Sequence, residues 1–425
     1  MKSGTKTRYI IHNILYEIYK KNKNLKDNDI EKLINTNSSA DIKFITNVCL
    51  YSMRYFIYCD KIINLYLNKK PKLNQRILLI SAITQIVYLD FKEYAVVNSS
   101  VEVAKKIKVY PGLINAVLKK IIVDKKKLAK IQINFNDLPI WFKNETKDLK
   151  STEKKSFIKN IKEEGAVHIV FKNEDALNNF ERKIIKTSLN SGFLVQREQI
   201  NKIPSYNNGQ WWVQDYMSYL PISILPKKFF KGKCLDLCSA PGGKGFQIIN
   251  IKKDEKKVVL NDKSKNKLKI LRDNCKRLNF SPIIKNDDGT LLNLNCLFDF
   301  ILVDAPCSSV GTIRKNPEIF FKKNNPDINR LLDLQQKLLT RAAIALNTNG
   351  ILAYMVCSFL KKETTEQIYI FLKKNKNFRL IENIFDKSEK IDLKFINQSY
   401  ISSLPNVYKG FNVDGFFAAY MEKYK

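Results

Sequence analysis

The sequence predicts a multidomain protein. An all-α bundle is expected over residues 1–123, a charged helical linker with a small α+β module over 124–209, and a doubly wound α/β domain over 210–425. Three observations predict it. The first third of the chain carries apolar residues at helical spacing. Lysine clusters then break that pattern, and short strand-like runs follow. From about Gln210 onward, apolar runs of strand length alternate with helical stretches, the pattern of a parallel sheet covered on both faces. The length is ample for more than one core.

The elements follow in order. Ile10, Ile11, Ile14, Leu15 and Ile18 recur at helical spacing around Glu17, which predicts an amphipathic helix and not a signal peptide. "FITNVCLYSMRYFIYCDKIINLYL", "NQRILLISAITQIVYLDF" and "NSSVEVAKKI" continue the bundle, and "PGLINAVLKKII" opens on Pro111 and Gly112. The apolar stretch from Ile77 to Leu89 is interrupted by Ser81, Thr84 and Gln85, so no bilayer-spanning segment is expected. "DKKKLAK" and "KDLKSTEKK" read as solvated charged faces. "AVHIVF" and "GFLVQ" read as strands, with a helix over "DALNNFERKII" between them. In the last domain "KCLDLC", "KVVLND", "PIIK", "FDFILVDAP" and "GILAYMVCS" read as strands, separated by helices such as "KNKLKILRDNCKRLN" and "LLDLQQKLLTRAAIAL".

Charge and cysteine usage narrow the function classes. Lys and Arg number 74 against 41 Asp and Glu, a formal charge of +33. That excess predicts a polyanion partner, most simply nucleic acid, although abundant Lys, Asn and Ile also follow from an AT-rich genome. Eight cysteines are scattered with no CxxC pair, and there are two histidines. Cys234 and Cys238 are poorly spaced for metal ligation. Neither a zinc site nor a disulfide framework is expected, which fits a reducing, cytoplasmic compartment.

"CLDLCSAPGGKGFQII" carries the most information about ligands. An apolar strand ends at Asp236, and a tight loop with Pro241, Gly242 and Gly243 leads into a helix. Glycines admit close approach of a ligand to the backbone, and the helix N-terminus favours negative charge. The loop matches neither G-x-G-x-x-G nor the P-loop pattern. The next strand ends in Asp262, placed to accept from both ribose hydroxyls of a nucleoside. An adenosine-bearing ligand without a pyrophosphate cradle points to S-adenosylmethionine, with other nucleotide binders of this fold as the alternative. "NDDGTLL" offers Asp287 and Asp288 for an adenine edge, or an ordinary Asp-Gly turn.

Two further stretches, "DAPCSSVGTIRKNPE" and "YMVCSF", each place a cysteine, Cys307 and Cys357, after a strand and before a serine. With "DLCSAPGGK" and the terminal "DGFFAAY", they resemble the Nop/Sun family of RNA cytosine-5 methyltransferases. The first 123 residues resemble a NusB-type RNA-binding domain, and the pairing resembles the bacterial Sun/RsmB-type branch, which modifies small-subunit ribosomal RNA. The resemblance implies a Rossmann-like catalytic domain. It implies that Cys238, Ser239, Ala240, Pro241, Gly242, Gly243, Lys244, Asp262, Asp288 and Asp304 hold S-adenosylmethionine. Asp304 is also expected to orient the target base. It implies that Cys357 is the nucleophile and Cys307 the second cysteine. Val356 stands where the family has Thr, and Lys172 stands near a usual arginine. A ribosomal RNA partner, no metal, no membrane and a monomer are expected.

The chemistry accounts for two cysteines. C5 of cytosine is too weak a nucleophile to take a methyl group unaided. A thiolate adding to C6 makes C5 enamine-like. Loss of the C5 proton and expulsion of the thiol then call for a second group nearby. The target must be unstacked to be reached. Trp211 and Trp212 are candidate stacking residues, or packing at a domain junction. Alternatives are a tRNA cytosine-5 methyltransferase and a NusB-like RNA-binding factor without activity. An amino-group methylase would show Asp-Pro-Pro-aromatic where this chain reads Asp304-Ala305-Pro306-Cys307.

Overall fold

The computed structural model describes residues 3–35, 37–187, 190–292, 297–383, 395–396 and 399–425. The chain forms two compact units. One comprises Met1–Lys162 with Ile313–Pro326, the other Glu163–Thr312 with Asp327–Lys425.

The first unit is helical. Helices Ser3–Lys21, Asn28–Asn35, Ser39–Arg54, Phe56–Tyr66, Leu73–Ile83, Glu93–Lys106 and Pro111–Val123 build the bundle. Ile11, Ile14, Leu15 and Ile18 are fully buried, so the expected apolar face of the first helix is its core face. Pro111 begins its helix, where a missing N–H costs nothing. The polar interruptions of "SAITQIVY" are also inside. Thr84 Oγ1 donates to the Ile80 carbonyl and Gln85 Nε2 to that of Ser81. Burial is tolerated because each group is bonded locally. No described helix is long and apolar enough to cross a membrane.

The chain returns to this unit with Ile313–Pro326. Phe320 packs at 4.8 Å from the Phe142 ring and 5.9 Å from that of Trp141. Phe321 meets Tyr19 and Phe56 at 5.6 and 5.7 Å. Arg314 is completely buried, and its carbonyl accepts from Arg54. The sequence pattern places this segment in the domain that begins at residue 210, but its side chains pack with the helical unit instead.

In the second unit, β1 (His168–Phe171), β2 (Ile184–Lys186), β3 (Ser191–Leu194) and β4 (Trp211–Val213) form an antiparallel sheet in the order β2-β3-β1-β4. The helix expected over "DALNNFERKII" is shorter, Glu174–Asn178. The two isoleucines that end it belong to β2, where Ile184 lies opposite Leu194. Cross-strand pairing of β-branched residues overrides the helical reading. β4 pairs with β1, so this sheet runs past residue 209.

The large sheet contains β5 (Cys234–Asp236), β6 (Val258–Asn261), β7 (Ile283–Lys285), β8 (Phe298–Asp304), β9 (Leu346–Val356), β10 (Phe378–Leu380), β11 (Tyr400–Ser403) and β14 (Phe416–Lys423). A hairpin of β12 (Asn406–Tyr408) and β13 (Phe411–Val413) precedes β14. The order is β10-β14-β9-β8-β5-β6-β7, with β11 also on β14. Strands β5 to β9 are parallel, as their βα alternation predicts. β14 runs antiparallel between β9 and β10, so the sheet is mixed and not wholly parallel. From β5 the chain proceeds to one side as β6 and β7 and to the other as β8 and β9. Ligands bind at the carboxyl ends of such diverging strands.

Candidate active site

The carboxyl ends of β5, β8 and β9 carry Asp236, Asp304 and Cys357, and Cys307 follows in the loop after β8. The two sulfurs lie 3.4 Å apart. Ser309 Oγ is 3.4 Å from Cys357 Sγ. The pair is electrically asymmetric. The hydrogen bond from Cys307, aided by Ser309 and the Lys244 charge, lowers the Cys357 pKa from the usual thiol value against burial and Asp304. The Cys307 thiol is pushed well up by its bond to Cys357, by burial and by Glu363. Of the two sulfurs, Cys357 is the one on which negative charge is favoured and Cys307 the one on which it is disfavoured.

Glu363, absent from the sequence reading, ties the two cysteine loops together. It is fully buried. Its carboxylate accepts from Ser308 N at 2.7 Å, Ser308 Oγ at 2.5 Å and Ser358 Oγ at 2.6 Å. Gln335 Nε2 donates to it at 3.3 Å and to the Pro306 carbonyl at 3.0 Å. Each cysteine therefore precedes a serine because both hydroxyls share one acceptor. A close backbone approach adds to this. Gly311 N donates to the Cys357 carbonyl, and Gly415 N to that of Gly311. A Cβ on Gly311 would stand 2.0 Å from the Gly415 oxygen, so no larger residue fits.

Buried Lys244 and half-buried Asp304 form an ion pair of 2.7 Å beside the thiols. The Lys244 ammonium also lies 5.1 Å from the centre of the Phe416 ring. Lys244 is in the first turn of helix Gly243–Lys252, which Gly242 begins with φ +117°; a Cβ there would strike Phe246 at 2.1 Å.

Two clefts meet at this centre. One, of about 360 Å³, is lined by Cys238, Ala240, Asp262, Asp288, Asp304, Cys307 and Cys357, with Leu334 and Leu338 as an apolar wall. The other, of about 280 Å³, is lined by Ser239, Pro241, Gly243, Lys244, Asp304 and Cys357, with Gln214, Asp215, Thr312 and Asp414 opposite. Asp304 and Cys357 belong to both. The loop read as one cofactor cradle is thus divided between two openings. Asp262 accepts from Ala240 N at 3.2 Å and Ser264 N at 2.9 Å and lines the larger cleft. Asp288 holds the Thr290 amide and hydroxyl and lines the larger cleft. Asp287 instead bonds the Asn261 side chain through its main chain. The larger cleft fits S-adenosylmethionine in volume and in chemistry: carboxylates suit ribose hydroxyls and amino groups, and the leucines suit a flat ring.

Asp236 is the buried carboxyl behind this loop. It is 1% exposed, and neither carboxylate oxygen meets a hydrogen-bond partner of good geometry. Burial first, then the Asp304 charge, raises its pKa from 3.8 to about 7. A carboxyl raised in the folded state contributes stability that is complete below pH 3.8 and lost as pH rises through about 7. Asp236→Asn is expected to flatten this loss, by up to about 3 kcal/mol between pH 5 and 8. Urea titrations at the two pH values check it; an unchanged pH slope contradicts it.

The remaining sequence candidates fall elsewhere. Trp211 and Trp212 are buried, with indole N–H groups bonded to the Pro204 carbonyl and Gln214 Oε1, so they are packing residues. Lys172 is half-buried, donates to the Leu278 carbonyl at 2.7 Å and lies over Phe280. Val356 is buried in β9 opposite Phe417. Burial raises the thiol of Cys238, as it does those of Cys234 and Cys275, each of the latter to about 12. Cys296 lies outside the described residues. Among the described residues no group of three His, Cys, Asp or Glu side chains is placed to hold a metal ion.

Residues 227–422 match the family model for 16S rRNA methyltransferase RsmB/F, and residues 5–123 match the NusB family. The ribosomal RNA small subunit methyltransferase B of Serratia proteamaculans is 27% identical over 83% of this chain and 87% of its own. The same-named protein of Photorhabdus laumondii is 37% identical over 181 residues, so that match spans 42% of its length and 42% of this chain. The crystal structure titled PH0851 superposes with a TM-score of 0.71 at 20% identity, covering 100% of this chain and 99% of that one, a likeness of fold. By these matches, residues 227–422 are a region of the RsmB/F methyltransferase family and residues 5–123 a domain of the NusB family.

Proposed function

We propose that this protein transfers a methyl group from S-adenosylmethionine to C5 of a cytosine in small-subunit (16S) ribosomal RNA, through a covalent bond from Cys357 to C6. One observation carries the reading: Cys357 and Asp304 line both clefts, so a base in the smaller one and a donor in the larger one share the sulfur and the carboxylate. S-adenosylmethionine supplies an electrophilic methyl group when bound. Asp262 and Asp288 hold its adenosine, and the loop Cys238–Lys244 shapes both openings. Cys357, as the thiolate, adds to C6 of the unstacked base. Asp304, fixed by Lys244, accepts from the exocyclic amine, a group that uracil lacks. Cys307 stands beside the reacting carbons and assists removal of the C5 proton, after which the Cys357 bond to C6 breaks. The NusB-family domain contributes phosphate contacts, in keeping with the net charge of +33. The protein acts as a monomer in the cytoplasm.

Small-subunit rRNA from a strain lacking the protein tests this. One 5-methylcytidine is expected to disappear; an unaltered pattern of modified cytidines overturns the RNA assignment. For the cofactor, Asp262→Ala is expected to weaken S-adenosylmethionine binding by about 1.5–3 kcal/mol. Calorimetry giving unchanged affinity would remove Asp262 from the site.

A further inference from the structure

We propose that Glu363 is a positioning residue that decides which of the two sulfurs carries the negative charge, resting on the reading of Cys307 and Cys357 as the methylation centre. Two nearly equivalent thiols 3.4 Å apart pose a problem for covalent catalysis. Once one of the two protons leaves, either sulfur can keep the other, and the attacking form is productive on one sulfur alone. Sequence context does not separate them, since each ends a strand and precedes a serine. The surroundings do. Glu363 is completely buried and accepts from a backbone amide, two hydroxyls and a carboxamide, none of them a cation. Its carbonyl accepts from the buried Tyr354 hydroxyl at 2.8 Å, which pins the residue from β9.

The charge is delivered to one side. Two of the four bonds come from Ser308, the neighbour of Cys307. Glu363 adds to the bond with Cys357, to burial and to the Cys357 charge in disfavouring a negative Cys307. Around Cys357 the nearby charges are Asp304 and Lys244, of opposite sign and paired with each other. A buried anion at one end and an ammonium at the other polarise the pair, so the proton rests on Cys307 and the charge on Cys357. The same carboxylate fixes the two loops in space, so geometry and polarity have one source.

Alkylation reads this without RNA or methyl donor. A thiolate displaces iodide from iodoacetamide and a thiol does so slowly, so the ratio of Cys357 to Cys307 labelling, by peptide mass spectrometry of the full chain, reports where the charge sits. Wild type is expected to label first at Cys357. Glu363→Gln keeps the shape, since the amide oxygen can accept from Ser308 N and the hydroxyls can turn to accept from the amide N–H. It is expected to lower the ratio about tenfold, the effect of one pKa unit. Glu363→Asp keeps the charge and is expected to keep the ratio, even where a shorter reach slows turnover. An unchanged ratio in folded Glu363→Gln overturns the proposal, and so does a drop in Glu363→Asp equal to that in Glu363→Gln. If Glu363→Gln does not fold, the Asp variant decides alone: a retained ratio supports the proposal and a lost one sinks it. A failure to find 5-methylcytidine would leave this ratio readable, so the two readings fall separately.

Discussion

Cys307→Ala is expected to leave the protein covalently attached to its RNA. Addition of Cys357 to C6 needs no second thiol, and methylation of C5 follows from it. Removal of the C5 proton and expulsion of Cys357 are the steps that lose their assistant. The complex should run as a slow band on a denaturing gel, and the band should depend on S-adenosylmethionine. Cys357→Ala should form neither band nor product, because the remaining sulfur, Cys307, is the one whose burial disfavours the thiolate. Loss of the nucleophile should reduce turnover by several orders of magnitude. A stable adduct in the Cys357 variant with none in the Cys307 variant would reverse the two roles. Continued methylation by both variants would remove the covalent route altogether.

Phe320→Ala is expected to cost about 3–5 kcal/mol, as for a large buried aromatic. Phe320 is 4% exposed among Trp141, Phe142 and Phe157. Calorimetry should show the helical unit melting roughly 10 °C lower. A melting point within 1–2 °C of wild type, on the order of experimental scatter, would mean that the segment is not part of that core. The consequence is larger than one side chain. Residues 313–326 belong to the helical unit, and Thr312 before them lines the smaller cleft. Removing residues 1–123 takes away Tyr19 and Phe56, which cover Phe321, together with Arg54. A truncated chain is therefore expected to expose this segment as well as to bind RNA weakly, so point variants are the cleaner probe of RNA contacts.

Much of the catalytic domain was legible because its signals are local. A strand-length apolar run followed by "CSAPGGKG" is one continuous piece of chain, and the resulting loop starts a helix with Gly242 in a conformation that glycine favours. β5 to β9 follow from alternation, which needs no knowledge of partners. The misreadings are non-local. Ile184 and Ile185 look helical beside "ALNNFERK" and become a strand only because β3 lies alongside. The antiparallel β14 is set by its neighbours β9 and β10, far apart in sequence. Phe320 and Phe321 sit in a stretch read as part of the catalytic domain, and nothing within it announces that the helical unit is its partner. Glu363 was hidden by company: in "LKKETTEQ" it stands among lysines, threonines and a second glutamate, with no local sign of burial. The available signal was the repeated Cys-Ser. Two buried hydroxyls at matching strand ends need an acceptor, and a carboxylate a few residues downstream is a natural one.

The site separates into parts of different legibility for the same reason. Asp262, Asp304 and Lys244 are attached to recognisable strand ends and a recognisable loop. That Asp304 and Cys357 face two openings at once depends on how β8 and β9 lie side by side, with Asp304 opposite Met355. That adjacency turns two separate motifs into one reaction centre.

The most direct test of the central claim uses small-subunit rRNA transcribed with 5-fluorocytidine and incubated with the wild-type protein and S-adenosylmethionine. Fluorine cannot leave C5 as a cation, so a methylated adduct has no route to release and accumulates. Proteolysis, nuclease digestion and mass spectrometry then show which peptide carries the nucleotide. The account predicts a methylated fluorocytidine nucleotide on the peptide containing Cys357. The same mass on the Cys307 peptide, or methyl transfer with no protein-bound nucleotide, would contradict it.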